Sequence, residues 1–151
     1  MKLVPFVMAV VPSILLVLYF THADRTRPEP HGEVVRAFLL GIAATLPALF
    51  LELAADAFLR PWFVNPVYFA LIEAFVVAAL CEEWVKLLVV RRFIYRRAEF
   101  NEVMDGIVYT VAAGLGFACM ENILFVAAGG MTVALTRAFT AVPLHAICSA
   151  L

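Results

Sequence analysis

The sequence predicts an all-α fold: a polytopic membrane helical bundle of about five transmembrane helices, forming a single integral-membrane domain over residues 1–151. Three observations carry that prediction. The chain is 65% hydrophobic and 15% charged with a mean hydropathy of +0.98, whereas a soluble domain keeps roughly half its residues apolar and about a quarter charged. Apolar runs of about 20 residues recur, the length that crosses a hydrocarbon core of ~30 Å at ~1.5 Å per helical residue. Polar segments bearing arginine and proline separate those runs. A soluble globule, a disordered chain and a nucleic-acid-binding module are thereby excluded, and a net charge of −1 implies no anionic partner.

The first span, residues 3–20, exceeds the apolar part of a signal peptide, starts after a single Lys2, and ends in Thr21-His22-Ala23, a poor cleavage site. It reads as a retained helix. Residues 21–32 carry Asp24, Arg25, Arg27, Pro28 and Pro30 and form a loop. The second span covers 34–59, an interfacial turn follows through Arg60-Pro61-Trp62 to Pro66, and the third span covers 67–90. After the polar loop 91–102 come spans at 103–128 and 131–151, joined by Gly129-Gly130. Arg91, Arg92, Arg96 and Arg97 place loop 91–102 in the cytoplasm, because Lys and Arg are retained on that side. Threading back through antiparallel spans puts Arg25 and Arg27 inside too, leaving Lys2 and Arg60 outside. A chain stopping at Leu151 with no polar exit reads as truncated at its C-terminus.

A charge near the bilayer centre costs roughly 2.5–3.5 kcal/mol even on permissive insertion scales, so ionisable groups in the spans are candidates for function. Within or near the spans lie Glu52, Asp56, Glu73, Glu82, Glu83, Lys86, Asp105, Glu121, Arg137 and His145. Depth sorts them into two layers. Glu82, Glu83, Lys86 and His145 fall at a similar level, with Asp105 somewhat nearer the cytoplasm, whereas Glu52, Glu73, Glu121 and Arg137 map to the outer half. The plain reading of that outer layer is a structural ion-pair network.

In Cys81-Glu82-Glu83-Trp84-Val85-Lys86, the lysine is i+4 from one glutamate and i+3 from the other, so its ammonium reaches either carboxylate. Burial and a neighbouring cation act oppositely on a carboxylate's proton affinity, and such a site can tune one group toward a general base acting on water. A plain helix-end salt bridge is the alternative. His145 lies in the apolar stretch Pro143-Leu144-His145-Ala146; its depth beside the glutamates favours a role as metal ligand or oxyanion donor over simple packing. Ser149, one turn away, has no mark of an activated nucleophile. Cys81, Cys119 and Cys148 lack disulfide or zinc spacing and read as small buried thiols. Gly114, Gly116, Gly129 and Gly130 read as close-packing positions, with Gly114-Leu115-Gly116 a candidate break in the fourth span.

Taken in order, Glu82-Glu83-x-x-Lys86, Glu99-Phe100-Asn101-Glu102-x-x-Asp105-Gly106-Ile107-Val108-Tyr109, Gly114-Leu115-Gly116-Phe117-Ala118-x-x-Glu121-Asn122, and Arg137 with Pro143-x-His145-Ala146 resemble the PrsW family of intramembrane proteases. The resemblance covers residues 80–151, and that family is distantly similar to the CAAX-prenyl protease and bacteriocin-processing group. It implies an enzyme of the prokaryotic cell membrane that hydrolyses a peptide bond of a membrane-anchored substrate, for some members the first cut in an anti-sigma factor. It further implies that Glu82 or Glu83 activates the water with Lys86 as electrostatic partner, that His145 binds a metal or stabilises the oxyanion, and that Glu121 and Asn122 complete the site, with Asp105 as a further acidic member. No cofactor is favoured; should a divalent metal such as zinc take part, Glu83, Glu121 and His145 are its expected ligands. Asp105 and Glu121 are sixteen residues apart, about 24 Å along an unbroken helix, so both cannot meet one point. Glu121 is therefore expected in an outer polar pocket, with Arg137, continuous with the site.

The same buried charges also suit a proton- or ion-coupled transporter or channel subunit, and, more plainly, a non-catalytic scaffold. Orientation has its own check. A reporter fused after Arg97 is expected to behave as cytoplasmic, and an external signal there inverts the topology.

Overall fold

A computed structural model describes residues 3–23, 29–97, 100 and 102–151. Lys2, Arg25, Arg27, Glu99 and Asn101, used above for orientation and for the motifs, lie outside the described residues. Every described element is helical: α1 (Leu3–Ala23), α2 (His31–Leu59), α3 (Pro66–Ile72), a π-helical segment (Glu73–Ala78), α4 (Ala79–Phe93), α5 (Val103–Phe139) and α6 (Ala141–Ala150). Three stretches, Leu3–Ala23, His31–Trp62 and Val103–Ala150, are long and apolar enough to cross a bilayer. Their outward faces carry exposed large apolar side chains such as Leu15, Phe50 and Phe58, the pattern expected where lipid is the solvent.

The expected third span is built from three pieces instead of one. A short turn at Arg60–Trp62 closes α2, with Arg60 paired to Asp56 at 2.9 Å. Asn65 then caps α3, its Oδ1 accepting from the Val67 amide at 2.9 Å, with Pro66 in the first turn where its missing N–H costs nothing. The π segment widens the helix by one residue per turn just before α4, resetting the direction in which the residues of α4 point.

The fourth and fifth expected spans are the two arms of one hairpin. Helix α5 runs unbroken through Gly114-Leu115-Gly116, so no break occurs there; the non-helical residue is Gly130, at φ 69° and ψ −149°, where only glycine is unstrained. Beyond it the chain runs back along its own first arm, so that Asn122 meets Arg137 and Glu121 meets His145. Helix α5 is the axis of the bundle: α1, α2 and α6 all pack on it.

Glycines set how closely those helices approach. A Cβ on Gly41 would overlap the backbone of Ala113, one on Gly116 would overlap the backbone of Phe38, and one on Gly114 would overlap the Ser149 side chain. Helices α2 and α5 thus cross backbone to backbone, the arrangement small residues permit in membranes, where helix association depends on van der Waals contact. At one end of the bundle Arg97 reaches Glu33 at 2.6 Å and Tyr109 donates to Glu29, fastening the start of α2 to α5 and to the turn after α4 around a core of Val34, Ala37, Val90, Ile94 and Val108.

Alanine at Gly41 or Gly116 is expected to cost about 1–3 kcal/mol through overpacking and to lower the thermal midpoint in detergent. The Gly32→Ala variant, with nothing within 4 Å, is expected to leave it unchanged.

Candidate active site

Helix α4 and the two arms of the hairpin bring five predicted residues together, Glu82, Glu83, Lys86, Glu121 and His145. Lys86 is 5% exposed at its side chain. Its Nζ lies 3.3 Å from Glu82 Oε2, 2.8 Å from Glu83 Oε1 and 2.9 Å from His145 Nδ1. An ammonium can only donate, so Nδ1 is the acceptor and Nε2 carries the proton that His145 donates to Glu121 Oε2 at 3.0 Å. Glu121 in turn pairs with Arg137 at 2.7 Å, and Arg137 Nε donates to Asn122 Oδ1 at 2.6 Å. The chain of contacts thus runs from α4 through His145 to Glu121, Arg137 and Asn122. Asn122 is buried and also donates to the carbonyl of Ala9 at 3.5 Å, joining α1 to the network.

The two layers drawn from depth are therefore one. Glu121 does pair with Arg137, as expected of the outer layer, yet the same carboxylate oxygen reaches His145. The ligand set shifts by one residue: atoms of Glu82, Glu121 and His145 lie within 4.8 Å of one another, and it is Glu82 rather than the expected Glu83 that completes the group. Glu83, 43% exposed at its side chain, points to the other side of Lys86. Adjacent residues on a helix diverge by about 100°, so one of them had to. Asp105 is not brought into the cluster. It is 1% exposed and caps α5, its Oδ2 accepting from the Glu102 amide at 2.6 Å in a reciprocal capping box.

Two cavities flank the cluster. One of about 470 Å³ is lined by Thr45, Glu52, Glu82, Phe117, Glu121 and Phe125 among others, so Glu52 of the outer layer faces the same space as the ligand group. The other, about 380 Å³, is lined by Glu83, Lys86, Thr110, Cys148 and Ser149 among others. Of the cysteines expected to be buried, Cys119 is, Cys81 is half-buried, and Cys148 is exposed. Sequence reasoning missed the aromatic rings that receive the two cations: Lys86 Nζ stands 4.4 Å from the centroid of Phe117, and the Arg137 guanidinium 4.1 Å from that of Phe125. Both phenylalanines are on α5, one within and one just after the Gly114 to Asn122 motif, and only their register opposite two cations distinguishes them from ordinary core residues.

The donor set fits a divalent metal. One imidazole and two carboxylates are ligand types used by catalytic zinc, which keeps a further position open for water. Three carboxylates on Glu82, Glu83 and Glu121 also face two cations, Lys86 and Arg137, an excess of negative charge that a bound cation offsets.

A profile of the PrsW family intramembrane metalloproteases matches residues 29–151. Among curated relatives, Protease PrsW of Geobacillus kaustophilus is 41% identical over 142 residues, covering 93% of this chain and 60% of the relative. Protease PrsW of Halalkalibacterium halodurans is 37% identical over 140 residues (92% and 62%), and that of Bacillus subtilis 32% over 138 residues (91% and 61%). The chain spans about three fifths of the length of these relatives. No solved structure matches it.

Because the lysine is shared by two carboxylates and an imidazole away from water, Lys86→Met is expected to destabilise the fold by about 3–5 kcal/mol, the cost of stranding buried charges. Arg60→Met, whose pair with Asp56 is exposed, is expected to show no measurable loss in the same unfolding experiment.

Proposed function

The chain belongs to the PrsW family of intramembrane metalloproteases, and we propose that it hydrolyses a peptide bond of a membrane-anchored protein at the Glu82, Glu121 and His145 cluster. The observation that carries this reading is the meeting of those three side chains, from α4 and both arms of the hairpin, within 4.8 Å beside Lys86. Glu82, Glu121 and His145 would hold a divalent metal, His145 through the bare Nδ1 that otherwise accepts from Lys86, and the bound metal would supply a Lewis acid and an acidified water.

Each residue of the chain then has a distinct task. Glu83 is the carboxylate left outside the ligand group, and it takes the proton from the attacking water as the new C–O bond forms. It returns that proton to the nitrogen as the C–N bond breaks, so the amine leaves neutral. Lys86 holds Glu82 and Glu83 at fixed separation and, by donating to Nδ1 while no metal is bound, keeps the His145 proton on Nε2 against Glu121. Arg137 anchors Glu121, and Asn122 anchors Arg137. The cavity of about 470 Å³ beside Glu82 and Glu121, with Phe117 and Phe125 in its wall, and the cavity of about 380 Å³ beside Glu83 and Lys86 open on two sides of the cluster, and the substrate segment would bind across them. The loop 91–102 faces the cytoplasm by its arginines, and an anti-sigma factor is the substrate that the sequence resemblance points to.

In the full-length protein in membranes, Glu82→Gln, Glu121→Gln and His145→Ala are each expected to abolish cleavage of a membrane-anchored reporter and to lower bound zinc. Glu83→Gln is expected to cut turnover by about 10²–10⁴-fold while zinc content stays at the wild-type level. Cleavage that survives in both Glu82→Gln and His145→Ala overturns the site; ion flux in sealed vesicles without proteolysis favours the transporter reading instead.

A further inference from the structure

Lys86 has an aromatic neighbour as well as its polar ones. Its Nζ stands 4.4 Å from the centroid of the Phe117 ring, which is 2% exposed and also lies 5.9 Å from the His145 ring. The three N–H bonds of the ammonium match its three acceptors, Glu82, Glu83 and His145 Nδ1. The face of Phe117 adds a further, negatively polarised contact to a cation removed from water, the condition in which a cation–π contact is strongest. A lysine side chain is a flexible four-carbon stem with a compact charge at its end. Its acceptors sit on two different helices, α4 and α6, and the ring on a third, α5.

We propose that Phe117 is a positioning residue for the hydrolysis proposed above: its ring face holds the Lys86 ammonium where it bridges Glu82, Glu83 and His145. Through Lys86 it fixes the spacing of the two carboxylates, the ligand Glu82 and the base Glu83. Phe117 also fills space among Ala44, Ala48 and Val85, so truncation to leucine removes packing and electrostatics together. Ring fluorination separates the two, because each fluorine withdraws charge from the ring face and barely alters its volume.

The test places mono-, di- and trifluorophenylalanine at position 117 of the full-length protein. Turnover is expected to fall stepwise, by about three- to tenfold at the trifluoro ring, with KM and the thermal midpoint unchanged. The same series at Phe69, whose ring carries Arg60 at 4.9 Å by the turn that closes α2, is expected to leave turnover unchanged. A second readout needs no activity. Lys2 and Lys86 are the two lysines of the 151 residues; with ¹³C-labelled lysine, the Lys86 signal, identified by its loss in Lys86→Arg, is expected upfield from ring current and to relax stepwise along the fluorinated series. A flat turnover across the series, or a thermal midpoint that falls in step with turnover, overturns the proposal. Cleavage that persists in Glu82→Gln and His145→Ala would instead sink the hydrolysis reading, and the lysine spectra would still decide whether Phe117 places Lys86.

Discussion

One ammonium, surrounded by two carboxylates, an imidazole nitrogen and an aromatic face, is the interaction on which this bundle turns. Lys86 lies in a helix whose neighbours are apolar, where an unpaired charge is penalised by several kcal/mol. That penalty is lifted only when Glu82 and Glu83 from its own helix, His145 from α6 and Phe117 from α5 stand around it together. The contacts on its own helix are local and available to an isolated α4. The contacts to α5 and α6 exist only after the hairpin has closed against α4, so satisfying one charge selects one arrangement of three helices.

Arg137 repeats the device. It pairs with Glu121 and Asn122 and lies against Phe125, across the turn at Gly130. His145 connects the two cations, accepting from Lys86 through Nδ1 and donating to Glu121 through Nε2. A single imidazole can take both roles only in its neutral form, with one protonated and one bare nitrogen. The backbone makes these contacts possible through glycine: Gly114 lets α6 lie directly on α5, Gly41 and Gly116 let α2 cross α5 in backbone contact, and the positive φ of Gly130 reverses the chain.

Much of this was readable in the residues. Hydropathy locates α1, α2 and the hairpin because lipid demands about 20 apolar residues per crossing, though it reads the three pieces between Pro66 and Phe93 as one span, and rise per residue places His145 at the level of Glu82 without any knowledge of their contact. The helix turn joining the hairpin arms was legible in Gly129-Gly130. What depth cannot supply is azimuth. Which of Glu82 and Glu83 faces His145 depends on rotation about the α4 axis, and that rotation is set by the π segment before it, which no local pattern in Glu73-Ala74-Phe75 announces. Depth also treats a residue as a point at its Cα. Glu121 and Arg137 have long side chains, and their reach merges two layers that backbone heights keep apart. Asp105 was misread for a different reason: an acidic residue three positions after Glu102 at a helix start is a capping pattern, and motif order outweighed it.

The unequal exposure of the two adjacent glutamates follows from the same packing and has a chemical consequence. Glu82 is turned into the bundle, where Lys86 holds it; Glu83 shares the lysine but keeps 43% of its side chain exposed beside a second cavity. A ligand must be held still, whereas a group that carries a proton between water and a leaving nitrogen must reach both. In the reading proposed here, two carboxylates one residue apart, about 100° apart on the helix and tied to one cation, would divide those opposite demands between them. The hydrolysis we propose would draw on such a division, because the interior that makes charges costly to leave unpaired also makes them effective where they are aimed.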